Sequence, residues 1–325
     1  MARLLNQLVG HRQTLQPLLD ARARGRLAST LLFVGPSGVG KKLAAQALAQ
    51  ALVCERTNDK NPEACGECGS CLRMAKGQSE SLLQIEPDGA AIKVEQARDI
   101  LQFVSLQKLG RSRVIIVDQA HAMNPVAANA LLKSLEEPPE GTYFILISPM
   151  AASVLPTIRS RSQTVRFRPL TADELKKVIG KDADEWVLAS AQGSVETAQR
   201  LLESREEFQE LETALMQFLS AAARQFPADE VSKLRDLLKD RGAQAYFASL
   251  LQSVFRDGLR LQAGLKPLAN KQVRELSQLA SAIEPRRLNE LAETSLYIEH
   301  EMARNIDRGL LLENFALSWR QAVSG

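Results

Sequence analysis

Apolar residues in the first half of the chain fall into short unbroken runs separated by longer periodic stretches. Leu31 to Val34 is one run, Val114 to Val117 a second and Tyr143 to Ile147 a third. Runs of this length without alternation predict strands buried on both faces, the habit of parallel sheets. A shorter strand is predicted over Thr164 to Phe167. Between the runs, Val94, Ala97, Ile100, Leu101 and Val104 recur at helical spacing. Asn124 to Glu137 predicts another helix, with Pro125 in its first turn and Pro138-Pro139 stopping it. Leu43 to Leu52 is Ala-rich and helix-forming, and Asn6 to Leu27 reads as one amphipathic helix or two short ones. Strands alternating with helices make this an α/β domain.

The pattern changes after Pro169. Thr171 and Glu174 form a capping box for a new helix. Residues 170 to about 205 read as a small helical unit interrupted at Gly193-Ser194. Beyond it helical spacing dominates, over Phe208 to Ala223, Val231 to Leu238, Ala243 to Leu261, Val273 to Ile283, Arg286 to Ile298 and Gly309 to Ala322. Three domains follow: 1–168, 169–205 and 206–325. The last shows no catalytic constellation, so a packing or assembly role is expected.

Composition narrows this little. The chain has 325 residues, 45% hydrophobic and 24% charged, with a formal net charge of +3, which is ordinary for a globular protein. Arg3, Asn6, His11 and Arg12 interrupt the start, so no leader is expected. No apolar run approaches the ~20 residues that span a bilayer, and a cytoplasmic, membrane-free protein is expected. His11 with Arg22, Arg24 and Arg26 reads as a solvated basic face rather than a DNA contact.

The chemistry centres on GPSGVGKK, which joins the first strand to its helix. Strand, glycine loop, Lys and helix is the context of a phosphate-binding loop. Gly35, Gly38 and Gly40 let successive N–H groups face one anion, and Lys41 adds a full charge. The next residue is normally a Ser or Thr whose hydroxyl holds Mg²⁺. Here it is Lys42, and a cation does not ligate a cation. Asp118 ends the second strand, where an acid commonly orders that metal. Gln119 follows it, and an amide cannot take a proton from water as a carboxylate can. Ser148 ends the third strand and reads equally as a phosphate sensor or as a hydroxyl satisfying backbone. DQAH over 118–121 differs from DEAH-type helicases at its second position, and no other helicase motif follows. His121 reads as a packing or capping residue.

All four cysteines, Cys54, Cys65, Cys68 and Cys71, lie in one segment after the loop's helix. Two C-x-x-C steps sharing Cys68, plus one more distant Cys, suit four thiolates round a structural Zn²⁺. Free thiols or a redox pair are the alternatives. A redox pair needs only two cysteines and a thioredoxin-like setting that is absent here.

The loop, the four-Cys insertion, the acidic strand end, AANALLKSLEEPP and SRS together resemble the bacterial clamp-loader subunits of DNA polymerase III. The likeness covers most of 1–205 and continues more weakly to RGLLLENF. It implies an AAA+ domain, a helical lid and a helical collar in a five-subunit ring. In that family the motor (gamma/tau) type hydrolyses ATP, whereas the delta-prime type is a stator with a degraded nucleotide site. Lys42, Gln119 and Glu196, where the lid usually offers an Arg, depart from the motor pattern. These departures point to the stator, with ATP or ADP held weakly or not at all. Arg161 matches the family's arginine finger, which acts in trans on a neighbour's γ-phosphate; Ser162 replaces a Cys beside it. The implied partners are the gamma/tau and delta subunits, the sliding clamp, and primed DNA contacted through its phosphates. Such a chain would lack intrinsic ATPase while belonging to a DNA-directed DNA polymerase holoenzyme. A motor subunit of the same loader, and a zinc-bearing AAA+ adaptor outside replication, are the competing readings.

Overall fold

The computed structural model describes residues 2–180, 183–267, 277–278, 280–302 and 307–324. The chain packs as two compact units, one of residues 1–180 with 192–196 and one of residues 181–191 with 197–325.

The first unit is a five-stranded parallel sheet between helices, the α/β architecture expected of an AAA+ P-loop domain. Its strands are β1 (Thr30–Val34), β2 (Leu82–Ile85), β3 (Arg113–Val117), β4 (Thr142–Ser148) and β5 (Gln163–Arg166). They lie in the order β2-β3-β4-β1-β5, and every pairing is parallel. Successive side chains point to opposite faces, and the core divides accordingly. Leu31, Phe33, Val114, Ile116, Ile145 and Ile147 join one apolar cluster, with residues of α1 (Arg12–Ala23) and α2 (Lys41–Val53). Leu32, Val34, Ile115, Val117, Phe144 and Leu146 join the other, with α4 (Val94–Ser105) and α5 (Pro125–Glu136). Burial on both faces explains why these strands read as continuous apolar runs.

Caps fix the helix starts. The Asn124 side chain accepts the Ala127 N–H at 2.7 Å, and Pro125 occupies the first turn of α5. The predicted capping box of Thr171 and Glu174 opens α6 (Ala172–Ile179). Two features depart from expectation. The cysteine segment is not all loop, because Gly69–Ala75 forms a short helix, α3. The strand β2 was not predicted. It is an edge strand of four residues with only Ile85 fully buried, so its pattern is too weak to stand out.

The second unit is helical throughout its described residues. Its helices include Arg205–Ala222, Ala228–Leu237, Arg241–Gln262, Pro285–Met302 and Arg308–Ser324. Residues 273–276 and 279 of the helix predicted over Val273 to Ile283 lie outside the described residues. Trp319 is fully buried, donates its Nε1–H to Leu219 O at 2.8 Å and packs near Phe255. No described helix is long and apolar enough to cross a membrane.

Phe144→Ala removes a fully buried ring from the sheet and is expected to destabilise the first unit by about 3–5 kcal/mol. Urea unfolding followed by circular dichroism measures it.

Candidate functional site

Parallel strands deliver their ends to one side of the sheet, and the loop Gly35–Gly40 lies there. Its glycines are required by contact as well as by conformation. Gly35 has φ +152°, and a Cβ on it would stand 2.2 Å from Phe167 O. Gly38 has φ +72°, and a Cβ on it would meet Ser194 Oγ at 2.2 Å. Gly40 adopts φ +97° and caps α2. The segment Ser194–Glu196 thus presses directly on the loop, and the Val195 N–H donates to Gly38 O at 2.8 Å.

Lys41 is 7% exposed. Its Nζ donates to the carbonyls of Gly35 and Pro36, each at 2.6 Å. Burial pulls its pKa down to about 8, against the opposing pull of Asp118 and Glu196. The lysine therefore satisfies its own loop.

The structure contradicts the solvated reading of His11. The ring is fully buried, its Nε2 lies 2.9 Å from Val39 O, and it packs edge-on to Phe167. Burial lowers its pKa, so the neutral ring donates Nε2–H to that carbonyl and braces the loop from below. Nδ1 has no hydrogen-bond partner among the described residues. Ser148 Oγ donates to Met150 O at 2.9 Å, which satisfies backbone and favours that reading over a phosphate sensor. His121 is half-buried and its pKa is lowered by burial, as a packing residue requires.

Asp118 leaves the end of β3. Its Oδ1 accepts the Gln119 N–H at 2.9 Å, and its Oδ2 lies 3.8 Å from Lys42 Nζ. Lys42 also donates to Glu86 Oε1. Glu86 escaped the sequence reading because the strand it follows did. These residues do not fit Mg²⁺. The position that should offer a hydroxyl carries an ammonium, and the carboxylates that would share the metal are turned to it.

The four cysteines converge as predicted. Their sulfurs all lie within 4.8 Å of one another, and none forms a disulfide. Cys65 Sγ is 3.9 Å from Cys71 Sγ, and Cys68 Sγ is 4.0 Å from Cys54 Sγ. A tetrahedral zinc site with Zn–S bonds of about 2.3 Å has sulfur–sulfur edges of roughly 3.8 Å. The cluster therefore fits a closed four-thiolate metal site. Backbone amides prepare the charge: Cys65 N–H points at Cys54 Sγ, and the N–H groups of Glu67 and Cys68 point at Cys65 Sγ, at 3.3–3.4 Å. Burial raises the thiols of Cys54 and Cys71. At Cys65 burial acts upward too, but the amides of Glu67 and Cys68 and the neighbouring thiols outweigh it and bring that thiol to about 7.

The cluster is tied to the rest of the unit by groups the sequence did not single out. Gln50 is fully buried on α2. Its Nε2 donates to Ala2 O at 2.6 Å and Cys71 O at 3.1 Å, and its Oε1 accepts the Leu4 N–H. Arg111 donates to Thr57 O at 2.8 Å from the other side.

Arg161 stands apart. Its Nε donates to Glu136 Oε2 at 3.0 Å and its Nη1 to Thr157 O at 3.1 Å. It precedes β5, whose Gln163 lies opposite Leu31 and whose Arg166 lies opposite Val34. Three strand steps of about 3.3 Å put the start of β5 roughly 10 Å from the loop end of the sheet. Arg161 therefore sits at the far strand ends, away from its own phosphate-type loop.

Comparison with known sequences places this architecture. Residues 10–171 match the family described as DNA polymerase III, delta subunit, and residues 205–321 match its C-terminal family. A DNA polymerase III subunit delta' from Yersinia pestis is 30% identical over 325 residues, covering 94% of this chain and 93% of that protein.

The chain belongs to the DNA polymerase III delta-prime family.

A delta-prime relative from Pseudomonas aeruginosa is 40% identical over 188 residues, 55% of this chain and 57% of that protein. A gamma/tau subunit from Mycobacterium bovis is 36% identical over 183 residues, again 55% of this chain but 31% of that protein. The chain thus spans about half or less of the length of these two relatives. Within the delta-prime family member described here, the loop, the thiol cluster and Arg161 all lie in the first unit.

Two outcomes are expected. The purified chain carries about one zinc per molecule by metal analysis, and Cys71→Ala carries much less and melts lower, because it removes one of the four clustered thiols and metal binding contributes to folding free energy. Lys41 has a folded pKa near 8, below its ordinary 10.5, so the unfolded chain binds more protons between those values. The stability of the wild type relative to Lys41→Met should therefore rise as pH goes from about 8 to 10.5. Paired urea titrations across that range measure the slope.

Proposed function

We propose that this chain is a stator-type subunit of the replicative clamp loader: it does not hydrolyse ATP, contributes Arg161 in trans, and helps load the sliding clamp onto primed DNA. The observation that carries the reading is an asymmetry within one unit. Its own loop lysine is bonded to loop carbonyls and feels the charges of Asp118 and Glu196. Its arginine precedes β5, toward the opposite strand ends, where it bonds Glu136 and Thr157.

Phosphoryl transfer relies on positioning and on stabilising charge that develops on the phosphate oxygens. A site with Lys42, Gln119 and Glu196 lacks a metal ligand, a water-activating acid and a lid cation. Arg161 supplies the kind of group that such a reaction recruits across an interface. Its bond to Glu136 is a partly exposed ion pair, worth about 0–1 kcal/mol, so a neighbour's phosphate competes with it easily.

In this reading the second unit contains the collar, residues 206–325, and residues 169–205 form the lid. The collar joins gamma/tau and delta subunits into a five-membered ring. Zn²⁺ is structural, held by Cys54, Cys65, Cys68 and Cys71. DNA is contacted through phosphates without sequence preference, and the protein works in the cytoplasm. The gamma/tau likeness over 183 residues keeps a motor reading in view, using Lys41 and Asp118 with displaced metal ligands.

Steady-state ATP turnover separates the two. The isolated chain is expected to show none, and turnover abolished by Lys41→Ala would establish the motor. In a reconstituted loader, Arg161→Ala should lower clamp-stimulated hydrolysis at the neighbouring site by about 10³-fold or more. Unchanged hydrolysis rules out the trans role.

A further inference from the structure

The two carboxylates beside the loop are neighbours by topology. β2 and β3 are adjacent and parallel, with Ile85 opposite Val117. Glu86 and Asp118, the next residue of each, therefore leave the sheet side by side. Side-by-side carboxylates repel, and a cation between them relieves the repulsion. Here the second residue of α2 reaches between them. Lys42 Nζ donates to Glu86 Oε1 and lies 3.8 Å from Asp118 Oδ2. Lys41, one residue earlier, is turned the other way onto Gly35 and Pro36. The consecutive lysines thus divide the loop's charge between its anion side and its cation side.

Resting on the degenerate-site reading above, we infer that Lys42 is a resident cation: its ammonium takes the place of the divalent metal between Glu86 and Asp118, and excludes the metal–nucleotide complex from the loop. Mg²⁺ needs oxygen ligands in near-octahedral array at 2.0–2.1 Å. An ammonium held on the same oxygens denies it both ligands and charge. The exclusion of the divalent metal is therefore a property of one side chain. The carboxylates it covers are intact, and removing the ammonium uncovers them.

The consequence is a gain of function. Lys42→Thr supplies the missing hydroxyl and leaves Glu86 and Asp118 unneutralised. Mn²⁺ binding to the zinc-loaded, full-length chain is followed by electron paramagnetic resonance with ADP present. Binding of a fluorescent ADP analogue is measured in parallel with Mg²⁺ or EDTA. Wild type is expected to bind no stoichiometric Mn²⁺ and to treat Mg²⁺ and EDTA alike. Lys42→Thr is expected to bind one Mn²⁺ per chain and to prefer the analogue with Mg²⁺ by about tenfold or more. Circular dichroism and zinc content check folding, and Lys42→Gln, which keeps most of the length and loses the charge, serves if the threonine variant does not fold. Tight Mn²⁺ binding by wild type overturns the inference, as does a folded Lys42 variant that gains no Mn²⁺. A wild-type chain that binds Mn²⁺ yet turns over no ATP keeps the stator reading and loses this one.

Discussion

A buried ammonium must be satisfied where it lies, and Lys41 meets that requirement from within its own chain. It is almost fully buried, bonded to two carbonyls of the loop that presents it, and set near Asp118 and Glu196. Stranding a buried charge costs several kcal/mol, so the surrounding geometry follows from keeping it satisfied. Gly35 must pass under Phe167 O, and Gly38 must accept the approach of Ser194. His11 holds the Val39 carbonyl from the opposite side. Loop, helix start and the 194–196 segment form one internally bonded assembly.

The thiol cluster obeys the same logic at the other end of α2. Four sulfurs gathered within 4.8 Å are compatible with burial when a metal displaces their protons to solvent and balances their charge. Gln50 extends that order to Ala2, Leu4 and Cys71 through three hydrogen bonds. The N-terminal residues and the cysteine segment are therefore coupled, and both rest on a helix whose first turn carries the loop lysines.

What the sequence disclosed depended on how strongly physics constrains each pattern. The central strands were legible because burial on both faces demands unbroken apolar runs. The loop and the cysteines were legible because spacing alone encodes their chemistry. β2 was not, because an edge strand needs few apolar residues, and with it went Glu86, the partner of Lys42. His11 looked like part of a basic surface because its neighbours in sequence are charged, yet its contacts are Val39 and Phe167, distant in the chain. Gln50 gave no signal at all: a buried amide in an Ala-rich helix becomes meaningful only once its three partners are in place. The Glu136 partner of Arg161 lies 25 residues away in the chain, and only the fold pairs them.

The account turns on the claim that the loop is filled by the chain's own charges. Isothermal titration calorimetry of the isolated, zinc-loaded chain with ATP and Mg²⁺ tests that claim most directly. The account predicts no saturable heat up to millimolar nucleotide. A one-to-one isotherm with micromolar affinity, the strength of a working P-loop, would contradict it.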